Sequence, residues 1–238
     1  DLDEWPTMHV EMQTKTADGF IETYRRLVPF SSIDDTRYVL NSIFVEIGHG
    51  KKPVTMVATD GKRLGCFNSM VLPLKKSVIV PTTKFLGWPG AGTDVEIGVR
   101  EDGDRVWLGV RSGPLFYAVK CVDGTYPNFR QVIPAEPGEH VITFTDSDVD
   151  LLKQVLPSLP GDDEVTIVGN EGKVTFFGRG PDDEDWTKVS LETSTYSGSR
   201  SFIGVNRLYL LDALAAGFRE FAITDELSPL LSRDGNGG

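Results

Sequence analysis

Cysteine is nearly absent from this chain of 238 residues: Cys66 and Cys121 are the two present, each inside an apolar, strand-like run. Thiols so placed read as buried free cysteines of a reducing compartment rather than as a disulfide framework. No apolar run approaches the roughly 20 residues of a membrane-spanning helix, so no membrane segment is expected. The opening residues, DLDEWP, are acidic and have neither a basic n-region nor an apolar h-region, which speaks against a signal peptide. A cytoplasmic location is the expectation. Histidine is also scarce, and His9, His49 and His140 stand far apart with no cysteine or carboxylate at metal-ligand spacing. No Ser/His/Asp or Cys/His grouping offers a nucleophile with its base. The acidic run Asp182-Asp183-Glu184-Asp185 lacks the alternating oxygen ligands and distant Glu of a calcium loop and reads as a solvated loop. No enzyme activity, metal or cofactor is therefore expected.

Charge of one sign is lacking in one half only. Residues 1–134 carry 16 Lys+Arg against 16 Asp+Glu, whereas residues 135–238 carry 8 against 19, which accounts for the whole net charge of -11. Two units with different surfaces are implied, the second unsuited to broad, non-specific nucleic-acid binding.

The most informative stretch runs from Arg37 to Leu64. Tyr38 to Ile47 alternates in a way that predicts a strand covered on both faces, with Leu40 on it, and Val54 to Thr59 is a second β-branched run. Asp60-Gly61 is a hairpin signal, and Arg63 to Phe67 would return as a third strand. Upstream, Thr16 is placed to cap a helix from Ala17 to Val28 with Phe20, Tyr24, Leu27 and Val28 on one buried stripe. Downstream, Ser77 to Val80 reads as a strand, Pro81 and Thr82 open a brief helix, and Val95–Val99, Val106–Val110 and Leu115–Val122 follow as strands. Asp123 to Pro134 (DGTYPNFRQVIP) reads as an ordered, extended connector.

The second half repeats the plan: a strand at Val141–Phe144, a helix capped by Asp146 or Ser147 with Val149, Leu152, Val155, Leu156 and Leu159 inward and a stop at Pro160, then strands at Val165–Val168, Val174–Phe177 and Lys188–Thr193. Ser201–Val205 leads into a helix capped by Asn206, running from Arg207 to Ala216 and ended by Gly217, and Phe221–Thr224 is the last strand. The fold class expected is α+β, a duplicated domain covering 1–134 and 135–238, each copy with two helices packed on antiparallel sheets.

RYVLNSIFVEI followed by VATDGKRL, then SVIVP, VDGTYPNFRQVIP, DLLKQ and NRLYLLDAL, in that order, resembles the bacterial DNA polymerase III beta subunit, the sliding clamp, across its second and third domains. The resemblance implies two DNA-clamp-like domains of a processivity factor, or a fragment of one, that encircles duplex DNA without sequence preference and catalyses nothing. It implies partners that dock short peptide motifs, the replicative polymerase and the clamp loader. It also implies a homo-oligomeric ring: a trimer for a two-domain chain, a dimer if this is part of a three-domain chain. In that family the peptide enters an apolar cleft between the second and third domains. The matching positions here are Leu40, Thr59, Gly61, Lys62, Arg63, Leu64, Pro127, Gln131, Val132 and Pro229, with Arg63 or Lys62 as donors at the rim. The DNA-facing positions expected from the same topology are Lys15, Arg25, Arg26, Lys84, Lys153 and Arg207.

Three departures stand out. The family ends in a strand and tail reading like YVVMPMRL, whereas this sequence ends SRDGNGG, so part of the cleft is expected to be absent or supplied differently. After DLLKQ the family's apolar and basic residues are replaced by Pro160-Gly161-Asp162-Asp163-Glu164, and Thr82 and Thr83 stand where a basic pair is common. The acidic second half keeps a second reading open, a clamp-derived peptide-binding interaction domain that does not encircle DNA. A metal-dependent enzyme using Asp60 and Asp123 is a third, with two ordinary turn-forming carboxylates as its whole basis.

Overall fold

The computed structural model describes residues 19–48, 53–68, 72, 74–90, 92, 94–135, 138–225 and 228–234, and the backbone alone at 12–16, 69–70 and 91. His9, Ala17, His49 and Gly238 lie outside the described residues. The chain divides into two compact units, Asp1–Asn128 and Phe129–Gly238, the division falling inside the connector segment.

The first unit contains β1 (Met12–Thr16), α1 (Phe20–Leu27), β2 (Ser42–Glu46), β3 (Val54–Thr59), β4 (Leu64–Met70), β5 (Val78–Pro81), α2 (Lys84–Gly87), β6 (Glu96–Asp102), β7 (Arg105–Ser112) and β8 (Leu115–Lys120). Two antiparallel sheets result, ordered β4-β3-β2-β5 and β1-β6-β7-β8. Of the stripe expected on α1, Phe20, Tyr24 and Leu27 are buried, joined by Ile21, whereas Val28 is half-buried in the 3-10 turn that follows the helix. The Tyr24 hydroxyl donates to Pro81 O (2.9 Å) and accepts from Thr83 N (3.0 Å), tying α1 to the end of β5. Burial pushes its pKa up to about 12, so it stays a donor at any physiological pH. Helix α1 lies so close to β4 that a Cβ on Gly65 would come within 2.9 Å of Leu27.

Three expectations about this unit need correction. The brief second helix does not open at Pro81 and Thr82: Pro81 ends β5, and α2 starts at Lys84 with Thr83 as its cap, the Thr83 hydroxyl accepting from Leu86 N (3.3 Å). Thr16 does not cap α1: it belongs to β1, paired with Glu96, and the helix starts after Gly19, whose φ of 81° turns the chain into it. Leu40 is not on a strand, because β2 begins at Ser42. Leu40 N and Asn41 N both donate to Arg37 O (2.8 and 2.9 Å), and Ser42 Oγ donates to Tyr38 O (2.8 Å), which closes residues 37–41 into a turn despite their alternation.

The second unit contains β9 (His140–Thr143), α3 (Asp146–Val155), β10 (Glu164–Asn170), β11 (Lys173–Gly178), β12 (Thr187–Ser190), β13 (Thr195–Ser197), β14 (Ser201–Asn206), α4 (Arg207–Ala215), β15 (Glu220–Ile223) and β16 (Leu231–Arg233). Its sheets run β12-β11-β10-β14 and β13-β9-β15-β16. Phe144 anchors the core, edge-on to Phe221 at 5.2 Å and tilted against Phe176 at 6.4 Å. Asn206 caps α4 as expected, its Oδ1 accepting from Leu208 N (2.9 Å) and Tyr209 N (3.1 Å).

Four boundaries differ from expectation here. The cap of α3 is Thr145, not Asp146 or Ser147, its Oγ1 accepting from Asp148 N (3.4 Å). The helix ends at Val155 rather than running to Pro160, since Pro157 tightens the next turn into a 3-10 helix. The strand expected over Lys188–Thr193 stops at Ser190, with Thr193 drawn to Asp148. Finally, Phe221–Thr224 is not the last strand, as β16 pairs with β15 beyond it.

Candidate functional site

Three segments of the first unit converge at one end of the β4-β3-β2-β5 sheet. The turn between β3 and β4 is a four-residue loop rather than a two-residue hairpin, Thr59 pairing with Leu64. Asp60 organises it: its Oδ1 accepts from Lys62 N (2.8 Å) and Arg63 N (3.0 Å), and its Oδ2 accepts from Arg63 Nε (3.1 Å). Thr59 Oγ1 accepts from Gly61 N (3.0 Å) and donates to Arg63 O (2.7 Å). Gly61 sits at φ 90°, where a side chain would be strained and would also meet Arg37 at 3.0 Å.

Arg37, from the turn before β2, donates to Asp60 O (3.0 Å). It thus ties the second segment to the first. The third, residues 123–127, approaches closely enough that a Cβ on Gly124 would lie 3.0 Å from Val39. Tyr126 stacks on Phe44 at 5.0 Å with an interplanar angle of 10°. Burial holds its phenol above the ordinary tyrosine pKa, partly offset by the backbone of Thr59.

On this frame Leu40, Thr59 and Leu64 are half-buried, Gly61, Lys62 and Pro127 are exposed, and Tyr38 is 59% exposed. The arrangement offers a partly apolar surface braced by a rigid, internally hydrogen-bonded turn, suited to holding a short segment rather than to bond chemistry. Arg63 departs from its expected role as a rim donor. It donates to Asp60 and to Pro29 O (2.6 Å) and lies 5.6 Å from the Phe30 ring, so it braces the turn against the end of α1. Arg37, Tyr38 and Tyr126 were missed by sequence reasoning, although the TYP of the connector was a signal for the last.

In the second unit, Gln131 and Val132 lie in a short 3-10 turn (Phe129–Val132), both exposed, Val132 at 62%. Pro229 is exposed in the loop before β16. Among the described residues no group of three or more His, Cys, Asp or Glu could hold a metal ion, and no helix is long and apolar enough to cross a membrane.

The cations expected to face DNA fare unequally. Arg207 is overturned: it is 5% exposed, and its guanidinium donates to the carbonyl oxygens of Leu156 (3.0 Å), Leu159, Pro160 and Asp162. Arg25 donates to Trp88 O and Gly92 O (3.2 Å), and Arg26 lies over the Phe67 ring at 4.1 Å. Lys84 and Lys153 are exposed, Lys153 beside Asp150 at 3.1 Å. Lys15 is on β1, where only the backbone is described.

No family model matches the chain. It is 30% identical over 232 residues to the beta sliding clamp of Escherichia coli (strain K12), a match covering 91% of this chain and 58% of that protein. The beta sliding clamp of Pseudomonas putida is 26% identical over 253 residues, covering 98% of this chain and 63% of its relative. The chain thus spans less than two thirds of the curated relatives it matches. Among solved structures, DNA polymerase III subunit beta from Borrelia burgdorferi superposes with a TM-score of 0.80 at 14% identity, over 99% of this chain and 63% of the other. The C. crescentus beta sliding clamp gives a TM-score of 0.73 at 23% identity, over 98% and 65%. The chain has the sliding-clamp fold and is similar in sequence to beta sliding clamps over nine-tenths of its length.

Proposed function

We propose that the chain is a non-enzymatic processivity element of a replicative DNA polymerase, the second and third clamp-like domains of such a factor, acting in a ring around duplex DNA. The observation that carries the reading is the match to beta sliding clamps along 91% of the chain. Polymerase and clamp-loader peptides are the proposed guests of the first-unit surface formed by Leu40, Thr59, Gly61, Lys62, Leu64 and Pro127, with Arg63 holding the turn. Gln131, Val132 and Pro229, in the second unit, are proposed to serve the same guests. A buried Leu or Phe anchor on such a peptide stabilises binding by about 1.5 to 3 kcal/mol.

The test is titration of a fluorescent polymerase-derived peptide into the chain. Leu64→Ala is expected to weaken binding about tenfold, or about 1.4 kcal/mol. Arg63→Ala is expected to weaken it through the loosened turn, and Val132→Ala to report on the second unit separately. Unchanged affinity for both Leu64→Ala and Arg63→Ala would reject the site. The buried Arg207 and the acidic second half favour a second reading, a peptide-binding domain that encircles no DNA. Light scattering separates the two: a stable ring-sized oligomer supports the first, a monomer that still binds peptide the second.

A further inference from the structure

Sheet β1-β6-β7-β8 of the first unit turns one face to the core and the other toward solvent, and the strand register lays out the outer face row by row. Ile97 on β6 and Val106, Leu108 and Val110 on β7 are buried, so the residues of opposite parity share the outer face. Arg100, Trp107 and Lys120 stand directly opposite one another across three strands, and Glu96, Arg111 and Phe116 form a second such row. On these strands the row between them is Gly98, Gly109 and Ala118, with no side chain longer than a methyl group. Trp107 and Arg111 are four residues apart on β7, which sets the two aromatic rows about 13 Å apart. Phe116 is 41% exposed, Arg111 and Lys120 are exposed, and Arg100 and Trp107 are half-buried. The Arg111 guanidinium lies over the Phe116 ring at 5.9 Å, and Lys120 reaches Asp123 at 3.6 Å in an exposed pair that solvent screens. On β6, β7 and β8 the cations of this face are Arg100, Arg105, Arg111 and Lys120, against Glu96 and Asp102, a local positive excess on a chain whose net charge is -11.

We propose that this face binds single-stranded nucleic acid without regard to its sequence, bases stacking on Trp107 and Phe116 and phosphates meeting Arg100, Arg111 and Lys120. Every base has a π-face, so flat rings flanked by cations suit a strand whose bases are unpaired. A duplex keeps its bases stacked on one another and would engage the charges alone. An apolar peptide would need aliphatic walls, and the outer face of β6, β7 and β8 carries no Val, Leu or Ile. The inference rests on the register of one sheet, wholly within the first unit, and not on the clamp reading.

The experiment titrates the full chain into a short fluorescein-labelled oligothymidylate and follows anisotropy. Saturable binding is expected, weakening as salt is raised, each neutralised phosphate contributing about -0.7 to the slope of log K against log salt concentration. Arg111→Glu combined with Lys120→Glu, both at exposed positions, should weaken binding by about tenfold or more and make that slope shallower. Phe116→Ala should weaken it by about tenfold through the lost stacking. No binding by the parent chain, or the same affinity after the double charge reversal, overturns the proposal. Loss with Lys84→Ala but not with the reversal would place the strand at α2 and overturn it as well. A duplex of the same length bound as tightly as the single strand, or polyglutamate competing equally while Phe116→Ala has no effect, would make the face a general anion surface and overturn the assignment to unpaired bases.

Discussion

Arg207 is a cation whose chemistry is settled by burial. Four carbonyl oxygens, those of Leu156, Leu159, Pro160 and Asp162, face its guanidinium, and its own backbone N–H donates to Asp163 O at 2.6 Å. Replacing it with Met leaves those buried acceptors without a donor, which should cost about 2 to 4 kcal/mol, read as a lowered urea midpoint. Arg207→Lys should recover less than half, because an ammonium cannot span the positions that the planar fork reaches. Asp148 is the complementary anion. Burial opposes its charge, but hydrogen bonds from Ser194 N (2.6 Å), Thr193 N (3.0 Å) and Thr193 Oγ1 (2.9 Å) outweigh it and hold its pKa below the ordinary carboxylate value. The folded pKa being depressed, the stabilisation is fully present above the unfolded value of about 3.9 and is lost as pH falls through the folded one. Asp148→Asn should therefore lower stability at pH 7 and flatten the acid limb of the stability profile below about pH 4.

At the scale of elements, two glycine-governed features give opposite predictions. Gly65→Ala would drive a methyl group into Leu27 and Phe30 beneath α1, and overpacking of this kind costs about 1 to 3 kcal/mol, measurable as a fall in Tm. Glu171, in the two-residue turn of the β10–β11 hairpin, is held at φ 48° ahead of Gly172. Glu171→Asn should relieve part of a left-handed penalty of roughly 1 kcal/mol and raise Tm. Elements whose signals are local were legible in the sequence: the stripe of α1, the β-branched run of β3 and the cap at Asn206 need no distant partner. The turn at residues 37–41 was not, since its alternation imitates a strand and only hydrogen bonds to Arg37 O and Tyr38 O decide otherwise. The candidate site was legible as a turn at Asp60-Gly61, because Asp and Gly have strong turn chemistry. That Arg63 faces inward to Pro29 and Arg37 takes the Asp60 carbonyl depends on packing 23 to 34 residues away, which spacing cannot reveal.

For the whole molecule, the clamp reading requires a chain with net charge -11 to stay on a polyanion. Electrostatic affinity is a poor answer, because Arg207 is buried, Arg25 holds the carbonyls of Trp88 and Gly92, and Lys153 sits beside Asp150. On the clamp reading, retention comes from topology: copies closed around the duplex cannot leave except over an end, whatever the strength of each phosphate contact. Binding to a short linear duplex should then be weak and fall with added salt, each neutralised phosphate contributing about -0.9 to the slope of log K against log salt concentration. Lys84→Ala should make that slope shallower by about one, whereas Arg207→Lys should leave it unchanged. On a nicked circle, a loaded ring should survive a salt wash and be released when the circle is cut. Loss from the circle at the same salt as from the linear duplex would leave contact affinity as the whole of the interaction and reject encirclement.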